Sequence, residues 1–325
     1  MSADSPSHTS PSAHHSAPTP VTAAGSPATT GVDPNNVAVS RTAGRWRPRT
    51  FFGHPLGLAN LFGVEMWERF SFYGMQAILA FYMYYETTQG GLGLDKGAAT
   101  SIVGAYGGLV YMAALVASLV ADRILGSERT LFYSAILVMF GHISLAFIPG
   151  VIGLAIGLVS IAIGSGGVKT NAQVVLGQLY AKDDPRRDAG FSIFYMGVNI
   201  GALFGPLLTG WIWGMKGFHW GFGLAAIGMA AGLIQYILMR KSTIAEAGHE
   251  IPNPLPKKQY PVWIGIAVVI TVVSVTLVST GIVPVTTLST VVTVIALIAA
   301  VVLWWQMYSS PLTTKSEKTR LVGFI

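Results

Sequence analysis

Gly63-Val64-Glu65-Met66-Trp67-Glu68-Arg69-Phe70-Ser71-Phe72-Tyr73-Gly74 sets two carboxylates and a guanidinium inside an apolar run that extends from about Pro55 to Tyr85. A charged side chain near the middle of a bilayer costs roughly 3 kcal/mol even on lenient scales, so a charge kept there marks an ion or substrate pathway and needs a partner. At about 100° per residue, Glu65, Arg69, Phe72 and Gln76 fall on one stripe of a helix, with Glu68 and Tyr73 on its shoulders. Glu65 and Arg69 are four apart in the order that favours an ion pair, and Glu68 is close enough to share the guanidinium.

The rest of the chain fixes the medium around that stripe. Hydrophobic residues make up 52% of 325 and charged residues only 10%, with a mean hydropathy of +0.56. That is more apolar surface than one soluble core encloses, so the class is an all-α integral membrane protein. The absence of cysteine excludes a disulfide framework, thiol chemistry and Cys-based metal sites. Residues 1–50 are rich in Ser, Pro, Thr and Ala without an apolar period, and read as a disordered cytoplasmic tail whose His8, His14 and His15 have no fixed geometry for a metal.

Eight apolar stretches of about 20 residues or more follow, near 56–84, 98–121, 130–148, 151–178, 190–213, 218–239, 261–280 and 285–308. Arg41, Arg45, Arg47 and Arg49 precede the first, and Arg123, Arg129, Lys182, Arg186, Arg187, Arg240, Lys241, Lys257 and Lys258 fall in alternate loops. The opposite loops hold Lys96 and Lys216. This asymmetry puts both termini in the cytoplasm of a multi-pass plasma-membrane protein, and it explains the formal charge of +6 without nucleic acid.

At membrane depth only Glu65, Glu68, Arg69 and Lys169 remain charged. Two acids and one base leave a net negative charge, so Lys169 is expected to balance it, with the first and fourth helices facing each other across a wet cavity. The plain alternative is a static polar clamp, but buried ion pairs are poor stabilisers. A carboxylate whose cation moves toward or away from it changes its proton affinity and can carry a proton. The glycines of Gly164-Ser165-Gly166-Gly167-Val168-Lys169 admit close contact or a helix break. Gly197, Gly201 and Gly205 repeat a small-xxx-small packing face, and Tyr195 and Asn199 lie one turn apart on another. Asn199 and Tyr111 also read as plain packing residues, and His142 as a satisfied interhelical contact.

Glu65-Met66-Trp67-Glu68-Arg69-Phe70-Ser71-Phe72-Tyr73-Gly74 resembles the E-x-x-E-R-F-x-x-Y-G signature of the proton-dependent oligopeptide transporters, a branch of the major facilitator superfamily. The Gly-Ser-Gly-Gly-Val-Lys169 run and Phe194-Tyr195-Met196-Gly197-Val198-Asn199-Ile200-Gly201 resemble two further signatures of that family. Asp122-Arg123-Ile124-Leu125-Gly126-Ser127-Glu128-Arg129 resembles the superfamily's loop motif, with Ser118 where that motif starts with Gly. The resemblance covers about residues 56–240. It implies symport of di- and tripeptides with protons, with no cofactor beyond the proton gradient and no enzymatic step. It makes Glu65, Glu68 and Arg69 the coupling group and Lys169 the cation shared between carboxylate and peptide. Tyr73, Gln76, Tyr111, Lys169 and Asn199 become the peptide pocket, while Gly197, Gly201, Gly205, Asp122 and Arg123 become structural. Gln76 stands where many members carry Arg, which removes a bidentate donor for the peptide carboxylate.

The expected organisation is a tail over 1–50, a six-helix bundle over 51–240, a cytoplasmic loop over 241–258 and a transmembrane hairpin over 259–310. Residues 311–325 read as the start of a second bundle. The hairpin has no charge between Lys258 and Lys315 and carries Trp263, Trp304, Trp305 and Tyr308 near its ends, which fits a peripheral, lipid-facing pair. Alternating access needs two halves. The expectation is therefore one half of a carrier, with small peptides, protons, the lipid bilayer and a separately encoded C-terminal half as partners. An inactive or regulatory membrane fragment, and a carrier for another small anion or nitrogen compound, are the competing readings.

Overall fold

The computed structural model describes residues 50–244, 247–310 and 313–323. The readings placed on the N-terminal tail lie outside the described residues. The described chain opens with a two-stranded antiparallel hairpin, β1 (Thr50–Phe51) and β2 (His54–Pro55). Its turn residues Phe52 and Gly53 both take positive φ, 49° and 79°, as the tightest hairpin turns require. The strands are too short for any period to show in the sequence. His54 Nδ1 lies 3.0 Å from the Tyr180 hydroxyl, which ties the entry to the helices.

Eight long helices follow: α1 (Leu56–Tyr84), α2 (Lys96–Val120), α3 (Ser127–Phe147), α4 (Gly150–Gln178), α5 (Arg187–Lys216), α6 (Phe218–Thr243), α7 (Tyr260–Ser279) and α8 (Leu288–Ser309), then a short α9 (Lys315–Val322). Pro55, which cannot continue a hydrogen-bonded ladder, stands immediately before α1. Asp95 caps α2 by accepting from the Gly97 and Ala98 amides. A π-helical turn, Ala121–Leu125, extends α2 and ends at Gly126 in a positive-φ conformation.

Seven of the eight are long and apolar enough to cross a membrane by length and composition, namely α2 to α8. The exception is α1, where eight such spans were expected. Its 29 residues would extend about 43 Å, enough to cross, but it carries Glu65, Glu68 and Arg69. Packing resolves that conflict. α1 lies against α4, α5 and α6, and the three charged residues are 2%, 0% and 5% exposed.

The charges occupy a waist between two apolar clusters. Leu58, Leu61 and Val64 join Leu131, Val138, Val175 and Tyr236 on one side of it. Phe72, Met75, Ile78, Leu79 and Tyr82 join Tyr106, Leu158 and Phe222 on the other. The seam between α1 and α5 is made by the Gly197, Gly201 and Gly205 stripe. A Cβ at Gly201 would lie 2.8 Å from the Phe70 amide nitrogen and 3.1 Å from Arg69 Cβ, so the backbones meet with nothing between them. Thr209 bridges the same seam, donating to the Gly74 carbonyl at 2.8 Å.

The last two long helices differ from the bundle. Neither α7 nor α8 has a buried residue. α8 rests on α2, where the Ser289 amide donates to Ser101 Oγ at 3.1 Å and Val292 lies over Gly108. α7 exposes Val262, Ile264, Val269 and Ile270 at 60% or more.

Candidate functional site

The geometry at the α1 waist turns on one hydrogen. Arg69 Nε lies 2.8 Å from both Glu65 Oε1 and Glu68 Oε2. Nε carries one N–H, and it donates to Glu65. Glu68 keeps the ionic contact and takes its hydrogen bond from α4 instead, from Ser165 Oγ at 2.5 Å. The guanidinium also sits 5.5 Å from the centre of the Phe72 ring, which stacks on Tyr106 of α2 with centroids 5.8 Å apart. Glu65 Oε2, Arg69 Nη2 and the Tyr106 hydroxyl are buried and have no hydrogen-bond partner among the described residues.

Lys169 sits elsewhere than the charge count suggests. Its ammonium lies 4.6 Å from the centre of the Tyr111 ring, and among the described residues it forms no ion pair with Glu65 or Glu68. The group that bridges α4 to the carboxylates is Ser165, one turn before Lys169. Lys169 and Gln76 are half-buried, whereas Tyr73, Tyr111, Tyr195 and Asn199 are exposed. Asn199 donates to the Tyr195 carbonyl on its own helix at 3.0 Å rather than to a neighbouring helix. Tyr73 and Gln76 thus come from α1, Tyr111 from α2, Lys169 from α4 and Asn199 from α5. Neither ring nitrogen of the fully buried His142 has a partner among the described residues, so the expected satisfied contact is not made.

A second polar cluster escaped the sequence reading. Glu128, 1% exposed near the start of α3, accepts from Tyr236 Oη at 3.0 Å and from Arg240 Nη2 at 2.8 Å, with His249 Nε2 at 3.5 Å. The loop after α6 is laced to the same corner: the Glu128 amide donates to the Gly248 carbonyl, and the Asn253 and Leu255 amides donate to the carbonyls of Asp122 and Arg123. Asp122 and Arg123 therefore act here through their backbones. The signal available in the sequence was a carboxylate inside the loop motif and an Arg in the last turn of α6, but nothing in their spacing pairs residues 128 and 240.

Two other features bound what the site can do. A groove of about 370 Å³ between α1, α5 and α6 is lined by apolar residues such as Met66, Phe70, Phe204 and Ile227, and offers a zwitterion nothing to bind. Outside the spans, hydrogen bonds from the Arg186 side chain hold the Asp184 carboxyl at about 2, so it stays ionised at neutral pH and carries no proton there.

A bundle of membrane-length helices packed on a helix that hides an acid–base–acid group defines an integral membrane protein. The POT family profile matches residues 128–283. The chain is 46% identical over 276 residues to the uncharacterized transporter YclF of Bacillus subtilis, covering 85% of this chain and 56% of YclF. It is 48% identical over 212 residues to the di-/tripeptide transporter of Lactococcus lactis, covering 65% and 43%. The crystal structure of a peptide transporter POT in complex with sulfate superposes with a TM-score of 0.77 at 44% identity, over 85% of this chain and 57% of that one. The chain belongs to the POT family, and it spans about half the length of the relatives it matches.

Proposed function

We propose that this chain supplies the N-terminal portion of a proton-coupled carrier for di- and tripeptides that works by alternating access in the plasma membrane. The observation that carries the reading is the buried Glu65–Arg69–Glu68 group, set inside a helix that other helices screen from lipid. The name of the Lactococcus lactis relative supports peptides as the cargo. In this reading Glu65 and Glu68 take up and release protons, with Arg69 as their counter-ion. Lys169 receives the peptide carboxylate, while Tyr73, Gln76, Tyr111 and Asn199 form the adaptable wall. Gly197, Gly201, Gly205, Asp122 and Arg123 hold the frame. Residues 51–240 form the transporting bundle, 259–310 a peripheral hairpin against lipid, and a second half completes the site. In this reading both termini lie in the cytoplasm, which the Lys and Arg bias of alternate loops supports.

The test is uptake in vesicles holding this chain with a C-terminal half supplied as a separate chain. A proton gradient should drive dipeptide accumulation. Glu65→Gln and Glu68→Gln should each reduce it to equal concentrations on the two sides while sparing some peptide exchange. Full accumulation in both variants removes these acids from the coupling role.

Gln76 motivates a second reading, a carrier for another small anion or nitrogen compound. Competition by such compounds stronger than by dipeptides would favour it. No uptake in any pairing would favour a regulatory or inactive fragment.

A further inference from the structure

We propose that Ser165 is a positioning residue for Glu68: its hydroxyl holds that carboxylate against α4, one turn from Lys169, so that Glu68 rather than Glu65 transmits its proton occupancy to α4. This rests on the carrier reading above.

The two acids of the waist are held differently. Glu65 receives the single Nε hydrogen of Arg69, and both groups belong to α1. A change at Glu65 therefore stays within one helix. Glu68 has Ser165 of α4 as its hydrogen-bond donor, the one it has among the described residues. A change at Glu68 thus alters a contact between helices.

Among the described residues Ser71, Ser101 and Thr209 also reach another helix, but Ser165 is the serine whose hydroxyl meets a carboxylate there. Ser118, Ser144, Thr170 and Ser192 each return their hydroxyl to the carbonyl four residues earlier, the default for such residues in a helix. Ser165, fully buried, points across to α1 instead.

The chemistry then follows from charge. A hydroxyl donating to a carboxylate makes a charge-assisted bond, roughly twice as strong as a neutral one. When Glu68 takes a proton from water it becomes neutral. The Arg69 contact loses its ionic partner, the Ser165 bond loses its charge assistance, and the hydroxyl can fall back on the Ile161 carbonyl. The clasp between α1 and α4 loosens beside Lys169.

The groups that bear on Glu68 come from three helices: Glu65 and Arg69 of α1, Ser165 and Lys169 of α4, and Tyr106 of α2. α5 meets the waist through Gly201, and α6 meets α1 at Phe70 and Trp67 through Gly228 and Gly232.

The experiment reads the acid itself, in the full chain in lipid nanodiscs, by infrared titration of the protonated-carboxyl band that disappears in Glu68→Gln. Ser165→Ala should move the midpoint up by about one pH unit, a tenfold rise in proton affinity, because it removes a donor that favours the charged form. Ser165→Thr should restore it, and Ser165→Cys, a weak donor, should fall between. An unchanged midpoint in Ser165→Ala, or no Glu68 band titrating between about pH 4 and 9, overturns the proposal. So does an equal shift of the Glu65 band. If Ser165→Ala does not fold, the Thr and Cys pair decides: equal midpoints there overturn it. Since no transport is measured, failure of the symport reading shows separately, as full accumulation by Glu65→Gln and Glu68→Gln.

Discussion

Arg69 balances two acids with one guanidinium in a buried place, and the cost of losing it follows from that. With its side chain 6% exposed and those of Glu65 and Glu68 at 3% and 0%, its removal strands two buried carboxylates. Breaking a buried charge group by deleting one partner costs about 3–5 kcal/mol, more than the intact group contributes. Arg69→Gln should therefore lower the unfolding midpoint in detergent sharply, and the triple change Glu65→Gln, Glu68→Gln, Arg69→Gln should recover most of the loss. A triple variant as unstable as Arg69→Gln would mean that packing, not charge, holds the waist. At this scale the sequence showed the anomaly and the Glu65–Arg69 pairing, because a helix fixes what lies four residues away. It could not show that Ser165 reaches Glu68, since contacts 97 residues apart depend on how α4 is rotated.

Among the elements, the α1–α5 seam depends on backbones meeting without side chains between them. A Cβ at Gly205 would press on the Phe70 backbone, which has no room to yield, whereas one at Gly210 on the same helix meets nothing within 4 Å. Gly205→Val should destabilise by about 2 kcal/mol or more, and Gly210→Val much less, read from thermal unfolding in detergent. Equal losses would point to helix propensity rather than the seam. Spacing alone marked the stripe as a packing face. Its partner helix, and the fact that the seam brings Gly201 against Arg69, came from the tertiary arrangement. The Glu128 corner makes the same point more strongly, because it joins α3, α6 and the loop after α6, and no helical period links them.

Across the whole molecule, the absence of cysteine offers a direct test of orientation. Single cysteines placed at the exposed residues Ser242 and Lys216 should react with an impermeant maleimide from opposite sides, Ser242 from the cytoplasm and Lys216 from outside. Labelling of both from one side would overturn the topology read from the basic loops. The long helices were legible to within about four residues at each end: 56–84 was expected and Leu56–Tyr84 found, 190–213 expected and Arg187–Lys216 found. Hydrocarbon thickness sets a minimum length, and loops must be polar enough to stay in water. The β1–β2 turn and the loop lacing at residues 247–255 were not legible, because both rest on a few backbone hydrogen bonds that leave no pattern in composition.

By itself the sequence determined the medium, the number and extent of the long helices, and the presence of a charged stripe that has to be hidden. These follow from local transfer energies and helical period. Only the tertiary structure decided where the stripe is hidden, that Ser165 rather than Lys169 touches the acids, and that Lys169 rests on Tyr111. Those outcomes depend on helix rotation and depth, which glycine contacts between distant segments fix and a linear sequence does not express.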